Sequence, residues 1–230
     1  MKRNQVIPAI IALAFVLFPL VVRSPYYQHL VIMALIWVII GGSWNLLAGY
    51  TGQVSFGHAV FFGTGAYTAG IFASKLGVSA WWGMLFGGFT GALVGLLIGW
   101  ICFRLRGPYF ALATIAAGEI FRLIATNWES LTDGMVGILI LQTFRSKLPY
   151  YYLALALAAA SIFVFDLVMK SKLGFYFVSI REDQDAAESL GINAALYKNI
   201  SLLISSFFTG LAGAFYMNYM AFIDPEVVFS

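Results

Sequence analysis

The chain has 230 residues, of which 61% are hydrophobic and only 10% are charged, and its formal net charge is +3. Soluble domains carry about 45–50% apolar and about 25% charged residues. Because so few charges cannot cover a water-soluble surface, lipid must be the solvent for much of the chain. The basic residues form no stripe, which excludes nucleic acid as an expected partner. The single cysteine, Cys102, excludes an intramolecular disulfide.

Seven segments are long and apolar enough to cross a bilayer as helices, since a core of about 30 Å needs roughly 17–25 residues. In chain order they are Val6–Val22, His29–Leu47, Val54–Ala73, Trp81–Phe103, Tyr109–Ala125, Tyr150–Met169 and Ile200–Phe222. No small-residue cleavage pattern follows the first segment, so we interpret it as a retained helix and not as a secretory signal. The sequence predicts an all-α fold, a polytopic transmembrane helical bundle of about seven spans.

The third predicted span is unusually rich in glycine. Its glycines are Gly49, Gly52, Gly57, Gly63, Gly65 and Gly70. One interpretation is tight packing of ordinary helices through small residues. The other is a broken or re-entrant segment that lines a pathway, because irregular backbone at membrane depth is tolerated only beside protein or a water-filled cavity.

A second glycine pattern lies in the fourth predicted span. Gly83, Gly87, Gly91, Gly95 and Gly99 recur every four residues and so share one helix face. Such a stripe predicts that another helix packs closely against it.

Two charges lie well inside a predicted span, Glu119 and Arg122. Each costs about 2.5–3.5 kcal/mol at the bilayer centre on insertion scales. Their spacing of three places them on one helix face, so we expect an intramembrane ion pair. Such a pair either fixes helix packing or faces a substrate cavity or a seam between subunits. The loop that follows, Asn127–Pro149, holds an apolar piece, Met135–Phe144, that is too short to span and either lies in the interface or caps a cavity mouth.

A charged island, the loop at 170–199, separates the last two predicted spans. Asp185 at the N-cap, Glu188 three residues later and Gly191 at the C-terminal end predict a short helix outside the bilayer. Such a helix is marginal alone in water and needs a partner to pack on. The alternative is an ordinary solvated loop. The apolar surface of the short helix would come from Ala186, Ala187 and Leu190. The polar residues at its base would be Arg181, Glu182 and Asp183.

Lysine and arginine distribution predicts the orientation. With a cytoplasmic N-terminus, the cytoplasmic side collects Lys2, Arg3, Arg104, Arg106, Lys170, Lys172, Arg181 and Lys198. The opposite side collects Arg23, Lys75, Arg145 and Lys147. The excess favours a cytoplasmic N-terminus and places the charged island in the cytoplasm.

Enzyme signatures are missing from the sequence. It contains no phosphate-binding Gly-x-x-x-x-Gly-Lys loop, no His-Glu-x-x-His zinc motif and no Gly-x-Ser-x-Gly elbow. We therefore predict no enzymatic activity, no catalytic residue, no metal site and no cofactor. Any energy for uphill work would come from another chain.

Several sequence blocks resemble the branched-chain amino acid permease family of ABC importers, of the LivM type. Asp185-Ala186-Ala187 with Gly191 resembles the coupling loop of importer permeases. The further blocks are Asn45–His58, Arg106–Thr114, Ile180–Asn193 and Leu211–Tyr216. The resemblance runs over nearly the whole chain, from about Val31 to Ser230.

The resemblance implies that residues 1–230 form a single transmembrane permease domain in a multi-pass inner-membrane protein. It implies cytoplasmic ATP-binding subunits, a second related permease subunit and a periplasmic solute-binding protein as partners, besides the lipid bilayer. It also implies coupling to the ATPase through residues of the island, which are Arg181, Glu182, Asp183, Asp185, Ala186, Ala187, Ser189, Leu190 and Gly191. For the substrate pathway we expect polar residues of the glycine-rich span, which are Gln53, Ser55, His58, Thr64 and Tyr67.

Two departures from the family pattern bear on function. Family members usually continue past Ile223-Asp224-Pro225 with further helices, so the resemblance implies a C-terminally truncated form. The family has a Gly- and Asn-rich stretch near Leu131–Ile138, and this stretch is altered here. The difference leaves urea or short amides as alternative substrates. A second alternative is an ion-coupled secondary transporter that uses Glu119 or His58. A third is a membrane scaffold that recruits a cytoplasmic partner through the island.

Overall fold

The computed structural model describes residues 6–22, 24–103 and 108–229, and most of these residues are helical. The helices in chain order are α1 (Val6–Val21), α2 (Pro25–Asn45), α3 (His58–Ser74), α4 (Ala80–Cys102), α5 (Pro108–Asn127), α6 (Glu129–Thr132), α7 (Lys147–Lys170), α8 (Lys172–Glu182), α9 (Gln184–Ser189), α10 (Ala194–Met220) and α11 (Pro225–Phe229). A π-helix (Leu46–Tyr50) continues α2, a 3-10 helix (Gly134–Val136) follows α6, and two short strands are β1 (Ile138–Leu139) and β2 (Phe222–Ile223). The predicted helical bundle is confirmed.

The longest helix, α10, lies at the centre of the bundle. It begins at the Asn193 cap, whose side-chain oxygen accepts a hydrogen bond from the Leu196 amide at 3.0 Å. Most of its length is buried, and α4 and α3 pack on it most extensively. A helix buried on nearly all sides needs small residues where its neighbours approach, and α10 has Gly210 and Gly213 there.

The glycine stripe of α4 faces α10 and α3. A Cβ at Gly91 would lie 2.8 Å from the Ser206 carbonyl oxygen, and one at Gly87 would lie 2.6 Å from the Ala214 Cβ. The predicted close partner of this stripe is therefore found within the same chain. Because the backbones nearly touch, larger side chains on this face would push α4 and α10 apart.

The opposite side of α10 is covered by α2 and α7, which share an aliphatic and aromatic cluster that includes Ile36, Tyr150 and Phe215. The first helix, α1, packs on α7, where the Tyr151 hydroxyl donates to the Phe15 carbonyl at 2.7 Å. Phe18 stacks on the same tyrosine ring. Since Tyr151 lies near the start of α7, the end of α1 lies beside the start of α7.

The bundle has two distinct ends. At the strand end, β1 pairs with β2 in antiparallel register, with Ile138 opposite Ile223, and Lys75 forms a 3.0 Å ion pair with Asp133. At the loop end, α8 and α9 connect α7 to α10, and α8 contacts the π-helix. The apolar piece at 135–144 thus contributes β1 at the strand end and does not span.

Five helical stretches in the described residues are long and apolar enough to cross a membrane, which are Pro25–Tyr50, Trp81–Cys102, Tyr109–Asn127, Lys147–Lys170 and Ala194–Met220. The predicted count of about seven is not confirmed. The other two predicted spans correspond to α1, with 16 residues, and α3, with 17 residues. At about 1.5 Å per residue, the described part of α1 and the whole of α3 are about 24–26 Å long, against a core of about 30 Å.

Candidate functional site

The charged island folds into α8 and α9 at the loop end. Ser171 caps α8, and its hydroxyl accepts from the Leu173 amide at 3.2 Å. Asp183 caps α9, and its carboxylate accepts from the Ala186 amide at 3.0 Å. The prediction that Asp185 is the N-cap is therefore wrong, because α9 begins two residues earlier than that register requires. Asp185 instead lies in the first turn, where a negatively charged carboxylate interacts favourably with the helix dipole.

The exposed apolar surface of α9 is smaller than predicted. Ala187 is buried against Ile180 and Ala194, so the prediction that Ala187 contributes to the exposed apolar surface of the short helix is wrong. Its burial holds α9 against α8 and the start of α10. Leu190, in contrast, is 84% exposed, and Gly191 follows it with φ of +84°. The left-handed cap expected at Gly191 is confirmed, and it leaves Leu190 projecting from the loop end.

Arg181, near the end of α8, contacts the bundle. Its Nη1 donates to the Gly49 carbonyl oxygen at 2.9 Å, across 132 positions of sequence. Its Nε donates to Glu182 Oε1 at 3.0 Å, so the neighbouring carboxylate holds the guanidinium in place. The loop end and the π-helix are thereby joined by a charged donor.

The glycine-rich segment is a broken element. The α2 helix widens into the π-helix, whose Leu46 carbonyl accepts from the hydroxyls of Thr51 and Ser201 at 3.1 and 3.3 Å. Residues 52–57 then run without regular secondary structure before α3 starts at His58. Of the two predicted alternatives, the structure has the broken helix, although α3 also packs tightly on α10. Side-chain hydroxyls thus donate to a backbone carbonyl at the point where the helix breaks.

A cavity of about 400 Å³ lies beside this break. Its walls are mostly apolar, with Trp37, Trp44 and Tyr216 on two sides and Ser55 and His58 as polar groups. The Trp44 indole donates to the Ser55 carbonyl at 2.9 Å, which holds the broken segment against α2. An apolar wall with a few polar groups is the usual character of a small-molecule site.

His58 is the most buried polar group of this cavity after Ser55 and is 6% exposed. Ser205 donates its hydroxyl proton to the Ser43 carbonyl at 2.8 Å, so its oxygen accepts from His58 Nε2, also at 2.8 Å. The imidazole therefore carries its proton on Nε2, and Nδ1 is an acceptor. Nδ1 is buried and has no hydrogen-bond partner among the described residues.

The other three predicted pathway residues do not line this cavity. Gln53 donates weakly to the Thr51 carbonyl, at 3.5 Å, near the loop end. Thr64 donates to the Phe61 carbonyl within α3 at 3.1 Å. Tyr67 stacks on Phe229 in a separate apolar cluster. The structure therefore brings Ser55 and His58 together and separates them from Gln53, Thr64 and Tyr67.

The expected ion pair between Glu119 and Arg122 is present on α5, with 2.6 Å between Glu119 Oε1 and Arg122 Nη2. Their side chains are 54% and 31% exposed. A smaller cavity of about 250 Å³ adjoins Arg122 and is also lined by Asp224 and Glu226. A mainly polar patch thus lies on the outer face of α5 towards the strand end.

Sequence reasoning missed Ser201, Ser205 and Trp44 as parts of the site. The two serines lie four residues apart on α10, so they share the face that meets the broken segment. The four-residue spacing of two serines within an apolar helix is a sequence feature that could have identified them as part of the site. Nothing comparable marks Trp44, since tryptophan is common in membrane helices.

The structure defines the class of protein as a polytopic helical membrane protein with a broken helix beside a cavity that is open on one side. A family model described as "Branched-chain amino acid transport system / permease component" matches residues 26–230. The chain belongs to this family of membrane permeases.

Two curated relatives are both described as "High-affinity branched-chain amino acid transport system permease protein LivM". They come from Salmonella typhimurium and Escherichia coli, and each is 29% identical over 224 residues, which covers 84% of this chain and 53% of the relative. The chain spans about half the length of these relatives. No solved structure matches it.

Proposed function

We propose that the chain is a membrane-spanning permease subunit of an ABC importer that carries branched-chain amino acids through the cell inner membrane. ATP hydrolysis on cytoplasmic partner subunits supplies the energy. Family membership over residues 26–230 is the observation that carries this proposal. The descriptions of the two LivM relatives support the choice of substrate over urea or short amides.

The loop end supports coupling to an ATPase subunit. A six-residue helix is too short to be stable in water by itself, and α9 is anchored on one side through Ala187. Its other side presents Ala186, Ser189 and the 84% exposed Leu190. Leucine on a polar loop is suited to a groove of a partner protein, and the charged residues around it suit the rim of such a contact. We assign Glu182, Asp183 and Asp185 to this rim.

The cavity beside the broken helix supports a pathway for an amino acid. Ser55 and His58 place polar groups in an otherwise apolar lining, which suits the charged ends of an amino acid. The tryptophan and tyrosine walls suit a branched apolar side chain. We therefore retain Ser55 and His58 as pathway residues and assign Gln53, Thr64 and Tyr67 to packing around it.

The ion pair on α5 supports a seam with a second related permease subunit. Charged side chains on a lipid-facing helix are costly, so an exposed pair at this depth favours cover by protein or water. The strand end, on the side away from the loop end, would then face the periplasm and a solute-binding protein. The N-terminal end of α1 lies towards the loop end, which agrees with a cytoplasmic N-terminus.

The test is co-purification of the chain from its native membrane in mild detergent. We expect an ATPase subunit in the preparation, and we expect Leu190→Asp to remove it, because a carboxylate would have to be desolvated in the partner's groove. Leu141→Asp is the matched control, since Leu141 is 94% exposed at the strand end. Equal ATPase recovery with both variants would contradict the assigned role of the loop.

Uptake by the reconstituted complex separates the alternatives. Leucine uptake that requires ATP and persists without an ion gradient supports the importer. Uptake that survives ATP depletion and stops when the ion gradient collapses would instead show a secondary transporter. Binding of the partner without movement of any solute would show a scaffold.

A further inference from the structure

We infer that Arg181 is a positioning residue that ties the loop end to the segment at 52–57, so that movement of α8 and α9 reaches the cavity. The inference rests on the proposed function for the source of that movement, a cytoplasmic ATPase subunit. It assigns Arg181 a different role from direct contact with that partner.

The first step is the contact between Arg181 and the π-helix. The guanidinium donates to the Gly49 carbonyl at 2.9 Å and is also held by Glu182 through Nε at 3.0 Å. Hydrogen bonds from a charged donor are about twice as strong as neutral ones. The π-helix accepts this bond readily because its widened turns weaken the regular ladder of backbone bonds.

The second step is the close passage of the chain at Gly52. Its φ of +72° favours glycine, and a Cβ there would lie 3.0 Å from Arg181 Cγ and 3.3 Å from Arg181 Cα. The backbone of the broken segment therefore lies directly on α8. A shift of α8 displaces Gly52 by contact and Gly49 through the hydrogen bond.

The third step runs from Gly52 to the cavity. Three residues later Ser55 lines the cavity, and its carbonyl is held by the Trp44 indole at 2.9 Å. The next residue, Phe56, also lines the cavity and is 61% exposed, and its amide donates to Thr114 Oγ1 at 3.1 Å. His58 follows at the start of α3. A segment of six residues with few backbone bonds of its own is the part of this region that can shift with least resistance.

The test measures how fast a maleimide reacts with a cysteine at position 56 in the whole chain, with Cys102→Ala removing the native thiol. Arg181→Met keeps the apolar stem beside Gly52 and removes the donor. We expect the reaction rate to change roughly tenfold, as for the loss of one hydrogen bond to a charged group. We expect Arg181→Lys, which retains one donor, to give an intermediate rate.

Lys172→Met is the matched control, since Lys172 is an exposed cation in the first turn of the same helix. We expect its labelling rate to equal that of the parent. Equal rates for the Arg181→Met and Lys172→Met proteins would overturn the inference, and a change in both would show a general effect of charge on α8 and overturn it too.

A second arm uses the complex with its ATPase subunit. We expect ATP to change the labelling rate in the parent and in Lys172→Met but not in Arg181→Met, with equal ATPase recovery in all three. An ATP response that persists in Arg181→Met would overturn the inference. Absence of any ATPase from the parent preparation would instead contradict the proposed function, while the first arm still decides the contact itself.

Discussion

His58 Nε2 and Ser205 Oγ lie 2.8 Å apart, although 147 positions separate them in sequence. Ser205 also donates to the Ser43 carbonyl, so one hydroxyl connects α2, α3 and α10 beneath the cavity. This bond fixes the imidazole tautomer, so that Nε2 carries the proton and Nδ1 is an acceptor. The geometry of the site thus depends on a serine that has no charge and no recognisable motif.

The variant Ser205→Ala is expected to destabilise the chain by about 1–2 kcal/mol, because His58 Nε2 would lose its acceptor in a buried position. Unfolding of the purified protein in mixed detergent micelles measures this change. Ser161→Ala is the control, since Ser161 is equally buried but bonds only the Ala158 carbonyl of its own helix. An equal loss of unfolding free energy in both variants would show that the hydrogen bonds between helices add no stability beyond that of a bond within one helix.

Close packing of α4 on α10 leads to a second prediction. Gly91→Ala places a methyl group only 2.8 Å from the Ser206 carbonyl oxygen, so the helices must separate. We expect a loss of about 1–3 kcal/mol in unfolding free energy, the usual range for overpacking. Gly41→Ala meets no atom within 4 Å and should gain a fraction of about 1 kcal/mol from helix propensity. An unfolding free energy of Gly91→Ala equal to that of the parent would contradict the close packing of α4 on α10.

The helical architecture could be predicted because hydropathy and glycine spacing report local burial. The stripe from Gly83 to Gly99 predicted a close helix contact, and the structure has that contact with α10 and α3. The broken helix was one of two readings, since glycine content alone does not separate tight packing from a break. The count of about seven spans is not confirmed, because composition does not report where a helix begins, and α3 begins only at His58.

The details of the site could not be predicted, because they depend on contacts between distant segments. The bond from Arg181 to Gly49 joins residues 132 positions apart, and only the folded chain shows that this arginine points inward. The N-cap lies at Asp183 and not at the predicted Asp185, since two aspartates two residues apart offer the same capping chemistry. Burial of Ala187 likewise follows from packing on α8 and α10.

The cap at Gly191 gives a third prediction. Valine at φ of +84° is strained by about 1–2 kcal/mol, so Gly191→Val should disturb the end of α9 and weaken recovery of the ATPase subunit. Gly77→Val is a matched control, because Gly77 has φ of +61° and equally open surroundings in the loop between α3 and α4. Similar ATPase recovery from both variants would contradict the role of the cap.

Membrane orientation gives a fourth prediction. Single cysteines at Ser189 and Leu141 lie at opposite ends of the bundle, and both parent residues are exposed. In intact cells, a membrane-impermeant maleimide should label the cysteine at 141 and not the one at 189. Labelling of position 189 from outside the cell would place α9 away from any cytoplasmic ATPase, and the proposed coupling would then fail.

The face of α5 gives a fifth prediction. Ile120 lies beside the exposed Glu119–Arg122 pair and is 55% exposed, while Phe89 is 56% exposed on α4, a helix without any charged residue. A photo-reactive residue at position 120 should cross-link to protein, because the charged pair favours cover by a second permease subunit over contact with lipid tails.

The same photo-reactive residue at position 89 should react mainly with lipid. Mass spectrometry of the cross-linked products distinguishes the two cases. Lipid adducts at both positions would show that the pair lies in the bilayer without a protein neighbour. The ion pair would then act only to neutralise its own charges, and the seam between subunits would have to lie on another helix.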